Sequence, residues 1–278
     1  MYKLEGKVAL VTGAGGEHGI GRAIATRLAA EGADLVVNDV VENPYAGNAS
    51  GWRGLPSLVR QIEGLGRQVL SVVADVSVAA QVEVIVQQAV ARFGHLDILV
   101  ANAGSRPGRD RVEVVDLEEE DWDLVQRVNG KGVFLSCRAV ARQLIAQGQG
   151  GKIITLSSSA GKQGYARFGA YCASKFAVIG LTQCLALELA PHHINVNAIC
   201  PDTVDTERTA YIAAMLAPDG VKGEEYHREM LRQKAELIPL GRVATIEDIA
   251  RTAAFLASAE SDFLTGLAIS VSGGLVMH

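Results

Sequence analysis

Tyr171 and Lys175 stand four residues apart in Ala170-Tyr171-Cys172-Ala173-Ser174-Lys175. On a helix this spacing places both side chains on one face, one turn apart. An ammonium held beside a phenol favours the phenolate and lowers its pKa. Free tyrosine titrates near pH ~10 and is a poor acid–base group at neutrality. Beside a lysine it can exchange a proton with an alcohol or carbonyl oxygen. Tyr-x-x-x-Lys spacings are common by chance, so the elements around the pair must decide its meaning.

A second signal lies near the start. Thr12-Gly13-Ala14-Gly15-Gly16-Glu17-His18-Gly19-Ile20-Gly21 falls between a β-branched run, Val8–Val11, and a helical periodicity from Ile20 to Glu31. Glycines in a strand-to-helix turn permit close backbone approach to a pyrophosphate, and the helix offers unpaired N–H groups. The plain alternative is a glycine-rich turn with no ligand. Asp39 closes the next apolar run, Leu35–Val37, 18 residues after Gly21. A carboxylate there can accept from an adenosine ribose and repel a 2′-phosphate, and Val40-Val41-Glu42 offers no arginine, so NAD is expected over NADP. A simple strand-end cap is the other reading of Asp39.

The elements alternate along the chain. After an inserted, Gly-, Asn- and Pro-rich loop over 40–54 come a helix (Leu55–Leu65), a strand (Val69–Val73), a helix (Ala79–Phe93) and a strand (Leu96–Ala101). Two helices are expected in 118–147. A strand (Lys152–Leu156), a helix (Ala170–Leu189) and a strand (Ile194–Ile199) follow, and Ile246–Ser258 and Leu267–Val271 supply a last helix and strand. This rhythm predicts an α/β chain: a single-domain doubly wound Rossmann fold with a seven-stranded parallel sheet. Segment 202–240 is too long for an ordinary connection. It is either a lid or disordered, and its helical patches Ala210–Leu216 and Tyr226–Lys234 favour a helical substrate lid.

Composition bounds the rest. The chain has 278 residues, 49% of them hydrophobic, and a net charge of -5 with no basic run, which argues against nucleic acid or an anionic membrane. No apolar run reaches the roughly 18 residues needed to span a bilayer, so no membrane span is expected. No signal peptide is apparent, so a cytoplasmic location is expected. The four cysteines form no Cys-x-x-Cys pair and read as small buried side chains; no metal site is expected.

Together, Gly13, Gly19, Gly21, Asp39, Asn102-Ala103-Gly104, Asn129, Ser158, Tyr171 and Lys175 resemble the short-chain dehydrogenase/reductase family over essentially the whole chain. The resemblance implies Tyr171 as general acid–base and Lys175 as its pKa-lowering neighbour and a ligand of the nicotinamide ribose. Ser158, 13 residues before Tyr171, would orient the substrate oxygen, in preference to Ser157 or Ser159. Asn129 would link Lys175 to a water chain, a role compatible with a helix-kink hydrogen bond. Gly13, Gly19, Ile20, Gly21, Asp39, Asp75, Val76, Asn102, Gly104, Val204 and Thr206 would contact the cofactor with Tyr171 and Lys175. A homotetramer or dimer is implied through the helices carrying Asn129 and Tyr171 and the last strand.

Four departures from the family pattern stand out. The glycine loop is longer than usual, which leaves Gly15 and Gly16 unassigned, and the insertion after Asp39 is longer than common. Asp202 replaces a glycine beside the nicotinamide, and Ser272 replaces an aspartate. Arg106, Arg109 and Arg111 can be read as holders of an anionic substrate, but a solvated loop is the expectation adopted here. Tyr165, Phe168 and Ile212–Leu216 suggest an apolar wall, with lid packing or a subunit contact as equal alternatives. The implied function is hydride transfer between NAD(H) and a secondary alcohol or ketone. The alternatives are a 3-hydroxyacyl-thioester dehydrogenase or 3-oxoacyl reductase, and a non-catalytic nicotinamide sensor.

Overall fold

The computed structural model describes residues 2–45, 51–218 and 220–278. The expected loop over 40–54 and the lid over 202–240 thus each include positions outside the described residues. Short β-branched runs form seven parallel strands: β1 (Val8–Thr12), β2 (Asp34–Asp39), β3 (Val69–Val73), β4 (Ile98–Ala101), β5 (Gly151–Leu156), β6 (Ile194–Pro201) and β7 (Ala268–Val271). Their order is β3-β2-β1-β4-β5-β6-β7. The order reverses between β1 and β4, so a crevice opens beyond the carboxyl ends of these two strands.

Along β1, side chains alternate between two cores. Ala9 and Val11 face one, with α1 (Ile20–Ala30), α2 (Leu55–Glu63) and α9 (Ile246–Ala257). Val8 and Leu10 face the other, with α3 (Ala79–Phe93), α5 (Val133–Gln147) and α6 (Gly169–Leu189). Burial on both faces explains why the strands read as continuous apolar runs.

Some local expectations change. The fourth strand begins at Ile98, because the Leu96 backbone pairs with the Gln147 side chain through both its N–H and its carbonyl. The two helices expected in 118–147 are α4 (Glu119–Val125) and α5, joined without a break by a π-helical stretch, Gln126–Gly132. The lid is helical, as α7 (Glu207–Leu216) and α8 (Gly223–Leu237). Cys137, Cys172 and Cys200 are buried but Cys184 is exposed, since its position on α6 faces outward.

The helix over Gly169–His192 also corrects the expectation about apolar runs: it is long and apolar enough, by length and composition, to cross a bilayer. It lines the second core through Val178, Ala186 and Leu189 and carries buried Ser174 and Lys175, as a sheet-covering helix does.

Candidate active site

α6 brings Tyr171, Ser174 and Lys175 to the crevice beside the end of β5. Tyr171 is partly exposed there, whereas Lys175 is 5% exposed. The Lys175 ammonium lies 5.7 Å from the Tyr171 ring centre and donates to the Leu156 carbonyl at 2.7 Å. Burial pushes the Tyr171 phenol up. The Lys175 and Arg208 charges, hydrogen bonding from Ser158 and the Arg111 charge outweigh it, and the phenol falls below its ordinary value. Burial likewise pulls the Lys175 ammonium below its usual range, against the pull of Tyr171.

The serine run after β5 divides its tasks. Ser157 Oγ donates to the Lys175 carbonyl at 2.8 Å, and Ser159 Oγ accepts from Tyr165 at 3.3 Å. Ser158 is the one beside the Tyr171 phenol, and it also caps a short 3-10 turn by accepting from Ala160 N–H at 3.1 Å. Asn129 sits in the π-helical stretch, fully buried. Its Oδ1 accepts from Ser105 N–H at 2.8 Å and its Nδ2 donates to Ser174 Oγ at 3.1 Å. Its side chain therefore ties α6 to the loop after β4, and reaches Lys175 only through the helix that both support.

At the other end of the crevice, Gly13 has φ +66°, and a Cβ on it would meet Ala103 Cα at 2.7 Å. A Cβ on Gly21 would lie 2.3 Å from the Gly13 carbonyl oxygen. Both glycines thus let the turn and helix approach closely. Gly19 is the N-cap of α1 and makes no side-chain cap bond, and Ile20 opens the helix. Asn102 Nδ2 donates to the Thr12 and Gly13 carbonyls at 2.9 Å each, stitching β4 to the turn. Gly104 lies against Asn129 Oδ1, which a Cβ there would meet at 3.4 Å.

Asp39 Oδ2 accepts from Gly15 N–H at 2.8 Å, so its carboxylate braces the glycine loop. Asp75 Oδ1 accepts from Ser77 N–H at 2.8 Å, and buried Val76 packs where a Cβ on Gly132 would fall, at 2.9 Å. Val204 is buried and bridges to Ala244, and Thr206 caps α7 by accepting from Thr209 N–H.

The two insertions hold one another. Tyr45 accepts from Glu17 N–H at 2.8 Å, and Trp52 Nε1 donates to the Gly15 carbonyl at 2.9 Å. Glu207, on the lid, accepts from His18 N–H at 2.9 Å and from the Tyr45 hydroxyl. The lengthened glycine loop is therefore clamped by the insertion after β2 and by Glu207, the first residue of the lid helix Glu207–Leu216.

Arg106 and Arg109 are exposed, but Arg111 is not a solvated loop residue: it is 7% exposed. Its guanidinium lies 4.3 Å from the Phe168 ring centre and 4.8 Å from that of Tyr171, and pairs with Asp110. Arg208 comes from the lid to 5.1 Å from the same Tyr171 ring. Sequence reasoning missed Arg208 altogether. The rings of Tyr165, Phe168 and Tyr171 form a chain with centres 6.2 and 6.4 Å apart, so the expected apolar wall is aromatic. Asp202 Oδ2 faces the Tyr165 hydroxyl at 3.4 Å, while its Oδ1 accepts from Thr203. Ser272 is buried and exchanges hydrogen bonds with the Val276 backbone, an internal role.

With this geometry the comparisons agree. Residues 13–276 match the family described as Enoyl-(Acyl carrier protein) reductase. A short-chain dehydrogenase/reductase of Armillaria gallica is 40% identical over 98% of this chain and 97% of its own length. The chain belongs to the short-chain dehydrogenase/reductase family. The 2-dehydro-3-deoxy-D-gluconate 5-dehydrogenase of Dickeya dadantii is 39% identical, covering 98% of this chain and 96% of that protein. Among solved structures, carveol dehydrogenase from Mycobacterium avium in complex with NAD superposes with a TM-score of 0.86 at 30% identity, covering 99% of each chain. The protein is thus an oxidoreductase of this family, built on its Rossmann fold.

Proposed function

We propose that this protein transfers a hydride between NAD(H) and a secondary alcohol or ketone, with Tyr171 as the general acid–base. The observation that carries the reading is Tyr171, partly exposed beside Lys175, with its phenol driven below its ordinary pKa by Lys175, Arg208, Ser158 and Arg111 against the effect of burial. A phenol tuned toward neutrality is suited to take a proton from an alcohol and return it to a carbonyl oxygen.

The crevice fits a dinucleotide. Gly13 and Gly21 let the turn pack directly against Ala103 and the first helix, which brings the loop backbone to the crevice. The N-terminus of α1 has no side-chain cap, so its first N–H groups are available to a phosphate. Asp39 stands at the end of β2, where a ribose diol would meet it. The relative from Mycobacterium avium is described in complex with NAD, which supports the same cofactor here. Gly13, Gly19, Ile20, Gly21, Asp39, Asp75, Val76, Asn102, Gly104, Val204 and Thr206 are the residues proposed to hold it.

When bound, the nicotinamide supplies the hydride acceptor or donor. In oxidation the Tyr171 phenolate takes the alcohol proton as the carbinol carbon loses its hydride and the C–O bond becomes a carbonyl. Ser158 holds the substrate oxygen next to the phenol. Lys175, fixed on the Leu156 carbonyl, keeps the phenolate charge stable, and Asn129 holds the helix that carries it. In reduction Tyr171 gives the proton back. A homo-oligomer is proposed as well: Phe134 on α5 and Phe176 and Leu187 on α6 are exposed apolar side chains on the helices the family resemblance assigns to subunit contacts.

The test is a spectrophotometric screen of secondary alcohols with NAD and ketones with NADH, with Tyr171→Phe as the control. Turnover of some alcohol or ketone by the parent protein and none by the variant supports the reading. Equal rates for the two proteins refute it. An acyl-thioester ketone belongs in the panel, because the matched family description names an acyl carrier protein reductase.

A further inference from the structure

Two guanidinium groups converge on one aromatic ring, that of Tyr171. Arg111 and Arg208 lie 4.8 and 5.1 Å from the Tyr171 ring centre. Arg111 has one acidic partner, Asp110, whose carboxylate also accepts from Gly108 N–H at 2.9 Å. Arg208 donates to the Ser105 carbonyl at 2.5 Å and has no acidic partner among the described residues. Other nearby acids are engaged elsewhere: Glu207 with His18 and Tyr45, Asp202 with Thr203 and Tyr165.

The pair is therefore short of negative charge and short of acceptors. Arg111 Nε and Arg208 Nη2 are both buried without a hydrogen-bond partner among the described residues. Arginine cannot escape such a site by deprotonating. The two cations also oppose each other: Arg208 adds to the effect of burial in pulling the Arg111 pKa down. Buried donors in folded proteins normally find acceptors, so an orphaned pair beside the Tyr171 ring asks for an anion.

We propose that Arg111 and Arg208 receive an oxyanion carried by the substrate, a carboxylate or a phosphate, so that the substrate is an anionic hydroxy or oxo compound. The inference rests on the dehydrogenase reading above and deepens it by naming the substrate class. Planar guanidinium groups match both oxyanions through paired N–H donors. Their position against Tyr171 sets the anionic group a few bonds from the reacting carbon.

The test is calorimetric titration of malonate, methyl phosphate and neutral malonamide into the full chain, with and without NADH. Arg208→Gln is the main variant. Arg208→Lys and Arg111→Lys retain charge, and the latter guards against a folding defect at a buried site. At least one anion is expected to bind the parent protein. Arg208→Gln should weaken it by about 10- to 100-fold, the loss of a charged hydrogen bond. Arg208→Lys should recover part of the affinity, and malonamide should bind at least about tenfold more weakly. The tighter of malonate and methyl phosphate distinguishes carboxylate from phosphate. Malonamide binding as tightly as malonate, an unaltered anion affinity in Arg208→Gln, or no anion binding to the parent protein would each overturn the proposal. NADH fluorescence in the same samples separates the two readings. Absent NADH binding removes the dehydrogenase assignment, while the cofactor-free titration still decides the arginine pair.

Discussion

Asp39 does two things at once, and its replacement by asparagine separates them. Its carboxylate accepts from the buried Gly15 N–H at 2.8 Å, a bond that an amide oxygen can also accept. Asp39→Asn therefore keeps the glycine loop braced and removes the charge. Against a ribose diol, a charge-assisted hydrogen bond contributes about 1.5–3 kcal/mol against about 1 kcal/mol for a neutral one. NADH should weaken about 3- to 30-fold at about 1.4 kcal/mol per decade. A 2′-phosphate of charge about −2 held roughly 5 Å from a carboxylate in a water-like medium is repelled by about 1.7 kcal/mol. Relief of that repulsion should tighten NADPH about 16-fold. The NADH-to-NADPH affinity ratio should thus fall by roughly 50- to 500-fold. Asp39→Ala should bind both cofactors more weakly than Asp39→Asn does, because it orphans the Gly15 N–H. Fluorescence titration of each protein with NADH and NADPH measures the ratio. A ratio unchanged in Asp39→Asn would mean that the carboxylate only anchors the loop, and the argument for NAD would fail.

Other consequences follow from the same geometry. The lowered Tyr171 phenol means that alcohol oxidation, which needs the phenolate, declines only as pH falls through that lowered value. Arg208→Gln removes one lowering charge and should move this acid limb of kcat/KM to higher pH; an unmoved limb would show that Arg208 does not act on the phenol. Gly21→Ala places a Cβ 2.3 Å from the Gly13 carbonyl oxygen and 2.5 Å from Asn102 Nδ2. NADH affinity should drop at least about tenfold as the loop is displaced, and unchanged titration curves would contradict this. Asp248 completes the cap of α9 with Thr245, and Arg242 holds its carboxyl down to about 2 from 3.8, with the Thr245 bonds adding to this against a smaller upward effect of burial. Its contribution is thus present above the unfolded value and lost as pH falls through about 2. Asp248→Ala should cost about 1 kcal/mol at neutral pH, visible as a lower Tm, with the difference fading in strong acid. A difference that persists there would locate the effect elsewhere.

The sheet was legible because parallel strands buried on both faces carry a strong local signature. Val8–Thr12 and Ile98–Ala101 show it in runs of buried β-branched and aliphatic side chains. The glycine positions were legible for a similar reason, since Gly13 and Gly21 answer to backbone constraints within one turn. The π-helical stretch was not, because an extra residue per turn over Gln126–Gly132 leaves the apolar pattern on either side intact. Arg111 was read as solvated because charged loop residues usually are, yet its neighbour Asp110 is the acid that allows burial. The approach of Arg208 to Tyr171 depends on how the lid folds back, which no local pattern encodes. Tyr45 and Trp52 did leave a signal: two aromatic rings in a Gly- and Asn-rich insertion needed a surface, and the lengthened glycine loop is that surface.

The central claim is that one phenol moves the proton while the rest of the crevice holds the cofactor. Tyr171→Phe removes one oxygen and keeps the ring contacts to Phe168, Arg111 and Arg208. The measurement is a single-turnover reaction with any alcohol substrate found for the parent protein, beside an NADH titration of the same sample. The account predicts NADH affinity within about threefold of the parent and hydride transfer slowed by at least about a hundredfold. Hydride transfer at the parental rate in Tyr171→Phe would contradict it.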